Sequence, residues 1–148
     1  KEWLIKWKKQ GYRNFADIIS KKILEIYNEY FKDYVIVPVP PRPNKIKNQG
    51  WDQINDLMNF LRKISNIKIV NLLERTESVQ QKKLNRNQRL ANKESYVVKK
   101  KYLKTKLPSK IVIVDDIITT GVTLENCAIA LKNLGVNTVC AITLFIAD

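Results

Sequence analysis

Apolar side chains near the start of the chain recur at the spacing of a helix. Within residues 14–31 they occupy Phe15, Ile18, Ile19, Ile23, Ile26 (or Leu24), Tyr27 and Tyr30. Positions three and four apart lie on one side of an α-helix, so this segment predicts an amphipathic helix with Asn14 as its N-cap. A second helix is predicted from Asp52 to Lys63, where Ile54, Leu57, Met58 and Leu61 share a face.

Continuous apolar runs rich in β-branched residues predict buried strands. They are DYVIVPVP at 33–40, IKIVNLL at 67–73, KIVIV at 110–114 and NTVCAITLFI at 137–146. A third helix fits Leu124 to Leu134, with Leu124, Cys127, Ala128, Leu131 and Leu134 facing inward and Gly135 as its C-terminal cap. This alternation predicts an α/β fold with a mostly parallel central sheet flanked by helices.

Two segments between these elements are predicted to be loops. The first runs from Pro40 to Gly50, where the prolines at its start exclude regular structure. The second covers 74–95, which is highly charged, and residues 96–98 after it read as a short strand or edge. A solvated surface loop is one interpretation of 74–95, but loops of this length in compact domains tend to be functional, so a mobile basic loop is expected.

The size and hydropathy of the chain predict one domain, residues 1–148. Its 148 residues are 45% hydrophobic, which suits a globular protein with a proper core. No apolar run approaches the roughly 20 residues that span a bilayer. The start, KEWLIKWKKQ, lacks the apolar core of a signal peptide, so we expect a cytoplasmic protein without a membrane span.

The residue types that are scarce exclude several kinds of chemistry. The chain has no histidine and two cysteines, Cys127 and Cys140, which we interpret as buried small hydrophobic residues. Histidine-based catalysis, a disulfide framework and a zinc site are therefore excluded. Any reaction must rely on carboxylates, hydroxyls, lysine, arginine, backbone amides and a metal ion.

The charge of the chain is strongly positive. Lys and Arg total 27 against 14 Asp and Glu, a net charge of +13, while residues 111–148 hold four acidic side chains and only Lys132 as a base. Such a charge attracts polyanions, including nucleic acid and phosphorylated metabolites. Most of the basic residues are lysine, however, and this bias also fits an AT-rich genome, so both explanations stay open.

The segment VDDIITTGVT, residues 114–123, has the groups needed to bind a sugar phosphate. Asp115 and Asp116 follow a predicted strand, and ligands of open α/β sheets bind beyond the carboxyl ends of strands. Thr119, Thr120, Gly121 and Thr123 then lead into a helix N-terminus, whose unpaired amides and hydroxyls suit a phosphate. The two carboxylates suit the vicinal hydroxyls of a ribose or a magnesium ion.

Other sites with an acidic pair after a strand fit less well. A P-loop needs GxxxxGK[ST], which the glycines at 11, 50, 121 and 135 cannot form. A response-regulator receiver places its acidic pair after the first strand, whereas only 32 residues follow Asp116. A purely structural alternative, an acidic strand end with a threonine-rich helix cap, stays open.

Several motifs resemble those of a known family. VDDIITTGVT resembles the phosphoribosyl-pyrophosphate (PRPP) signature of type I phosphoribosyltransferases. VPVP at 37–40, GWDQ at 50–53 and LLERTESVQQKKLNRNQRLAN at 72–92 are similar to the competence protein F (ComF/GntX-like) family. The resemblance covers roughly residues 10–146 and implies a type I phosphoribosyltransferase fold. Gln49 stands where the family has arginine, and the family's N-terminal four-cysteine zinc module has no counterpart in this chain.

The resemblance also implies roles for individual residues. Asp115 and Asp116 would hold the ribose hydroxyls and, directly or indirectly, Mg²⁺ as cofactor. The 5′-phosphate would be bound by the segment after them: Ile117, Thr119, Thr120, Gly121, Val122 and Thr123. Pro41 and Arg42 would belong to the pyrophosphate loop. A mobile loop over the substrate would hold Arg75, Gln80, Arg89 and Asn92. The implied catalytic set is Asp115, Asp116, Arg42 and Arg89, with Arg75 as a further pyrophosphate contact.

Two functions are compatible with this resemblance. One is transfer of a 5-phosphoribosyl group from PRPP to an unknown acceptor, with a hood built from residues 1–30 or from the partner in a homodimer. The other is a non-catalytic PRPP- or nucleotide-binding accessory protein in competence, which contacts single-stranded DNA or competence proteins. Aromatic residues for base stacking would be Trp3, Trp7, Tyr12, Trp51 and Tyr96.

Overall fold

A computed structural model describes residues 14–43, 45–76 and 95–147. In chain order the elements are α1 (Asn14–Tyr30), β1 (Val35–Pro38), α2 (Lys45–Gln49), α3 (Gln53–Ile64), β2 (Leu73–Thr76), β3 (Ser95–Val98), β4 (Lys110–Ile118), α4 (Val122–Lys132) and β5 (Thr138–Ile146). A 3-10 turn at Lys100–Tyr102 separates β3 from β4. In these ranges no helix has the length and apolar character needed to cross a membrane.

The central sheet is parallel, with the strand order β1-β4-β5. β4 lies in the middle, where Val35 pairs with Ile111 on one side and Thr138 pairs with Lys110 on the other. Residues 111–114 of β4 are at most 1% exposed, which is why this strand is apolar on both faces. The predicted α/β fold with a parallel sheet flanked by helices is confirmed.

Each face of the sheet has its own hydrophobic cluster. Ile111 and Ile113 point to the face covered by α4 and by the antiparallel hairpin of β2 and β3. Val112 and Val114 point to the opposite face, which α1 and α3 cover. Because side chains alternate along a strand, the even positions of β4 look toward α3 and the odd positions toward α4 and the hairpin. This alternation determines what the end of β4 can contact.

Helices α1 and α3 form where the apolar spacing predicts them. The side chain of Asp52 accepts a hydrogen bond of 3.1 Å from the amide of Asn55 and so caps α3. The inward face of α3 consists of Gln53, Ile54, Leu57, Met58 and Leu61. In α1, however, Ile18 and Tyr30 are 64% and 65% exposed, since α1 is covered on one side only.

The strand predicted over 67–73 is wrong in extent. Among residues 67–72 only Ile69 forms a bridge, in parallel to Ile36, with hydrogen bonds of 2.9 Å on either side of it, while Leu73 already belongs to β2. The amide of Leu72 then donates to the carbonyl of Val70, a tight turn that directs the chain out of the sheet and into β2. The predicted loop over 74–95 is therefore wrong at both ends, because residues 74–76 belong to β2 and residue 95 belongs to β3; residues 77–94 lie outside the described part.

Elements near the end of the chain also differ from their predicted bounds. β4 continues to Ile118 because β5 is equally long and pairs with it as far as Ile146. Helix α4 ends at Lys132, so Leu134 is 42% exposed and does not face the core as predicted. Gly135 has φ of 89°, and its amide donates to the carbonyl of Lys132, which confirms its predicted role as a cap.

Tyr27 fastens the end of α1 to the segment that enters β1. Its hydroxyl lies 3.0 Å from the carbonyl oxygen of Lys32 and 2.8 Å from that of Tyr34. Burial raises the pKa of this hydroxyl above its usual value, and the negative charge of Asp33 adds to the rise. The folded chain therefore favours the neutral hydroxyl. The contribution of this hydroxyl to the free energy of unfolding is fully present below pH 10, and it is lost as the pH rises through the folded pKa.

Tyr27→Phe is expected to lower the free energy of unfolding by about 1 kcal/mol at neutral pH, because it removes this hydrogen bond. Between about pH 9 and 11 the variant should lose less stability than the wild type, since the titrating hydroxyl is gone. Urea unfolding across that range checks both results. Tyr102→Phe is the control; equal alkaline slopes for wild type and Tyr27→Phe would contradict the prediction.

Candidate functional site

A cavity of about 700 Å³ lies at the carboxyl end of the sheet, within the usual size range of small-molecule sites. Four parts of the chain enclose it: the loop after β1, the start of α3, the β2–β3 hairpin, and the end of β4 with the start of α4. Its lining residues are Val39, Pro40, Pro41, Arg42, Lys45, Asp52, Gln53, Ile54, Arg75, Tyr96, Asp115, Asp116, Ile117, Thr119 and Thr123.

Parallel pairing explains why these distant segments meet. β1 and β4 end at the same edge of the sheet, and the amide of Val39 donates to the carbonyl of Val114 at 2.9 Å, which carries the pairing one residue further. The prolines that follow then turn the chain over the cavity. The predicted loop contains the short helix α2, whose first amide, that of Lys45, donates to the carbonyl of Arg42 at 3.0 Å.

Asp115 and Asp116 both line the cavity. The sequence predicts that they follow the strand, whereas the structure places them within β4. By the alternation along β4, Asp115 faces the hairpin and α4, whereas Asp116 faces α3. Asp116 is 7% exposed, and its amide donates to Oδ1 of Asp115 at 2.8 Å. The cavity thus has carboxylates on two sides of its floor.

Residues 119–123, which we call the threonine turn, lead from β4 into the first turn of α4. Ile117, Thr119 and Thr123 line the cavity, while Thr120, Gly121 and Val122 are not among the lining residues. Gly121 caps α4 with φ of 78°, a left-handed conformation that favours glycine. The first turn of an α-helix leaves backbone amides without partners in the helix, so this turn can donate to an anion.

Gly121→Ala is expected to lower the free energy of unfolding by about 1–2 kcal/mol, the cost of a left-handed conformation for a residue with a Cβ. Crowding adds little, since the new Cβ would meet only the side chain of Ile118 at 3.9 Å. Gly135→Ala, at φ of 89° beyond the other end of α4, is the matched control. Urea unfolding should give similar losses for both, and an unchanged midpoint for Gly121→Ala would contradict the prediction.

Two of the predicted arginines reach the cavity. Arg42 is exposed at its rim beside Pro41. Arg75 is half-buried and belongs to β2, so its predicted place in the mobile loop is wrong; its guanidinium carbon lies 5.7 Å from the ring centre of Tyr96. The hairpin fixes both residues, because Arg75 and Tyr96 are direct partners across it. The remaining predicted loop residues, Gln80, Arg89 and Asn92, lie outside the described residues.

Lys45, Asp52, Gln53 and Tyr96 also line the cavity, although the predicted set of site residues does not include them. The amide nitrogen of Gln53 donates to Oδ2 of Asp116, and its oxygen accepts from the ammonium group of Lys45. That ammonium group also lies 2.5 Å from Oδ1 of Asp52, which is 3% exposed. One signal was present in the sequence: Gln53 is a polar residue at the head of the apolar stripe that continues with Leu57 and Leu61.

Asp115 and Asp116 could supply carboxylate oxygens to a magnesium ion, but not a complete set of protein ligands. Among residues 14–43, 45–76 and 95–147 no group of three or more acidic, cysteine or histidine side chains could hold a metal ion. Mg²⁺ is commonly bound by one or two carboxylates together with substrate phosphates and water. Asp115 and Asp116 supply such oxygens, so they suit a magnesium ion that arrives with its ligand.

The phosphoribosyl transferase domain family matches residues 10–148 of the sequence. The chain belongs to this family. Among curated proteins, Competence protein ComFC of Streptococcus pneumoniae (strain ATCC BAA-255 / R6) is 27% identical over 121 residues. That match covers 82% of this chain and 50% of the relative, so the chain spans about half the length of the relative. Both findings confirm the resemblance to the competence protein F family.

Solved phosphoribosyltransferases align with this chain at low identity. The hypoxanthine phosphoribosyl transferase of Trypanosoma cruzi aligns with a TM-score of 0.49 and 13% identity, over 90% of this chain and 64% of that protein. A hypoxanthine-guanine phosphoribosyltransferase from Bacillus anthracis aligns with a TM-score of 0.49 and 12% identity, over 90% of this chain and 68% of that protein.

Proposed function

We propose that this protein binds PRPP together with Mg²⁺ and transfers its 5-phosphoribosyl group to an acceptor. The observation that carries the proposal is the composition of the cavity at the end of β4. Its lining combines Asp115, Asp116, Thr119 and Thr123 with the guanidinium-bearing side chains of Arg42, at the rim, and Arg75. Such a cavity offers acceptors for sugar hydroxyls and donors for phosphates in one place.

Each end of the ligand has chemically matched residues in this proposal. Asp115 and Asp116 accept hydrogen bonds from the ribose hydroxyls, which are donors. Thr119, Thr123 and the free amides of α4 donate to the 5′-phosphate. Arg42 and Arg75 bind the diphosphate, since a guanidinium group can contact two phosphate oxygens at once.

The proposed reaction breaks the bond between C1 of the ribose and the diphosphate oxygen. The bonding electrons leave with the diphosphate, a lone pair of the acceptor forms the new bond to C1, and the acceptor releases its proton. Positive charge develops on the ribose as the bond breaks, and fixed groups aimed at developing charge are the main source of such catalysis. When bound, Mg²⁺ neutralises charge on the departing diphosphate.

Isothermal titration of the purified chain with PRPP tests the binding step. We expect saturable binding in the presence of Mg²⁺ and a large loss of affinity in excess chelator. Ribose 5-phosphate should bind more weakly, because it lacks the diphosphate that Arg42 and Arg75 would contact. No binding of PRPP with Mg²⁺ present would overturn the proposal.

A second candidate function, contact with single-stranded DNA, is favoured by a separate observation. The segment 99–110 contains no acidic residue and has six lysines: Lys99, Lys100, Lys101, Lys104, Lys106 and Lys110. The exposed side chain of Leu103 lies among them. Of the aromatic residues named for base stacking, Tyr96 is 6% exposed and Trp51 is half-buried, whereas Trp3, Trp7 and Tyr12 lie outside the described residues.

Fluorescence anisotropy with a labelled single-stranded oligonucleotide tests this second function. Binding that weakens steeply with added salt is expected if lysines contact phosphates, because each contact releases counterions. The variant Lys100→Glu/Lys101→Glu/Lys104→Glu should then reduce both the affinity and the salt slope. Anisotropy that stays flat at low salt would dismiss this function.

A further inference from the structure

Gln53 bridges two charged groups at the side of the cavity. It is 5% exposed and lies at the first position of α3, next to the capping residue Asp52. Its side chain reaches Oδ2 of Asp116 on one side and the ammonium group of Lys45 on the other. We call Gln53 with these two contacts the Gln53 bridge.

The chemistry of the two partners fixes the orientation of the Gln53 amide. A lysine ammonium group only donates hydrogen bonds, and an ionised carboxylate only accepts them. The amide oxygen must therefore face Lys45 and the amide nitrogen must face Asp116. Lys45 is itself held by Asp52, so the bridge is anchored at the end opposite Asp116.

We propose that Gln53 is a positioning residue, which holds the carboxylate of Asp116 in the orientation that accepts a hydroxyl of the ribose. This inference rests on the proposed binding of a phosphorylated ribose. By engaging Oδ2, the Gln53 amide fixes the rotation of the carboxylate about its last side-chain bond. Asp116 is 7% exposed, and a carboxylate oriented before the ligand arrives lowers the cost of ordering on binding.

A purely structural role accounts poorly for glutamine at this position. Position 53 continues the buried stripe of Leu57 and Leu61, where an aliphatic side chain would bring no polar group of its own into the interior. A buried amide costs free energy unless both of its ends are hydrogen-bonded. Glutamine meets that condition here only because Asp116 and Lys45 stand on either side of it.

The test compares two sugar phosphates that differ by one hydroxyl. Ribose 5-phosphate and 2-deoxyribose 5-phosphate carry the same phosphate, so the ratio of their dissociation constants reports on the hydroxyl contacts alone. The variants are Gln53→Met, which keeps the side-chain volume, and Gln53→Glu, which sets a second carboxylate against Asp116. Asn59→Met and Asn59→Glu, on the exposed face of the same helix, are the matched controls.

Wild type and both controls should prefer ribose 5-phosphate by about tenfold, the value of one hydrogen bond to a charged group. Gln53→Met should reduce the preference to about twofold or less, and Gln53→Glu should abolish it, while urea unfolding verifies that each variant is folded. A wild-type preference retained in both variants would overturn the positioning role alone, and so would a wild type that binds without preference. A wild type that binds neither sugar phosphate nor PRPP would overturn the proposed function itself.

Discussion

Replacing Asp115 and Asp116 together by asparagine is expected to lower the affinity for PRPP by at least about a hundredfold. Each substitution keeps the shape of the side chain but removes a charge that would accept a ribose hydroxyl. A hydrogen bond to a charged group contributes about 1.5–3 kcal/mol, so the loss of two is worth a hundredfold or more. Asparagine also presents an amide nitrogen, a donor, where the ligand hydroxyl needs an acceptor.

Isothermal titration with PRPP and Mg²⁺ measures this loss. The matched control is Asp17→Asn/Asp33→Asn, which changes the net charge equally at carboxylates 42% and 82% exposed, outside the cavity. The control should bind PRPP like the wild type. This result would show that the loss of affinity comes from the contacts of Asp115 and Asp116 and not from the change in net charge. An affinity of the site variant within about threefold of the wild type would rule out the proposed use of the carboxylates.

Leu131→Ala is expected to produce the largest loss of stability, about 3 kcal/mol. Leu131 is 0% exposed and belongs to the cluster that contains Ile111 and Ile113, so it attaches α4 to the central strand. Truncation removes buried surface and leaves a cavity that close-packed neighbours fill only in part. For a chain of this size, the loss corresponds to a fall in Tm of roughly 10 °C.

Ile129→Ala is the control, since Ile129 is 48% exposed on the same helix. Surface positions of this kind usually change stability by less than about 0.5 kcal/mol. Thermal and urea unfolding of the two variants provide the comparison. Equal midpoints would contradict the packing described for α4, the helix whose first turn faces the cavity.

The sequence predicted the elements that are decided by local pattern. β1 and the first half of β4 are uninterrupted apolar runs, and α3 shows a clear helical stripe behind a capping aspartate. Bounds that depend on a partner strand were missed: β4 continues to Ile118 only because β5 is long enough to pair there. Likewise β2 exists because β3 lies beside it, and no pattern within residues 73–76 reveals that partner.

The residues of the candidate site also include some that local sequence predicts and others that only the fold brings together. A single short motif contains Asp115, Thr119 and Thr123. Their presence at one cavity could therefore be predicted from their closeness in the sequence. Gln53 and Tyr96 reach the cavity through contacts between segments far apart in the chain, which no local spacing encodes. The sequence places Arg75 at this cavity but predicts the wrong element for it, because its charged neighbours are typical of a loop.

The pairing of β1 with β4 has a consequence for the order of folding. The segment from β4 to β5 is continuous in the chain, so its parallel pairing needs only a short loop closure. The pairing of β1 with β4 requires a much longer loop, which contains most of the chain between these two strands, and we expect it to form later. Arg42 and Gln53 lie in the part that is expected to pair late, and the threonine turn lies in the part that is expected to form early. We therefore expect a ligand that contacts both parts to slow unfolding markedly while it leaves the refolding rate almost unchanged.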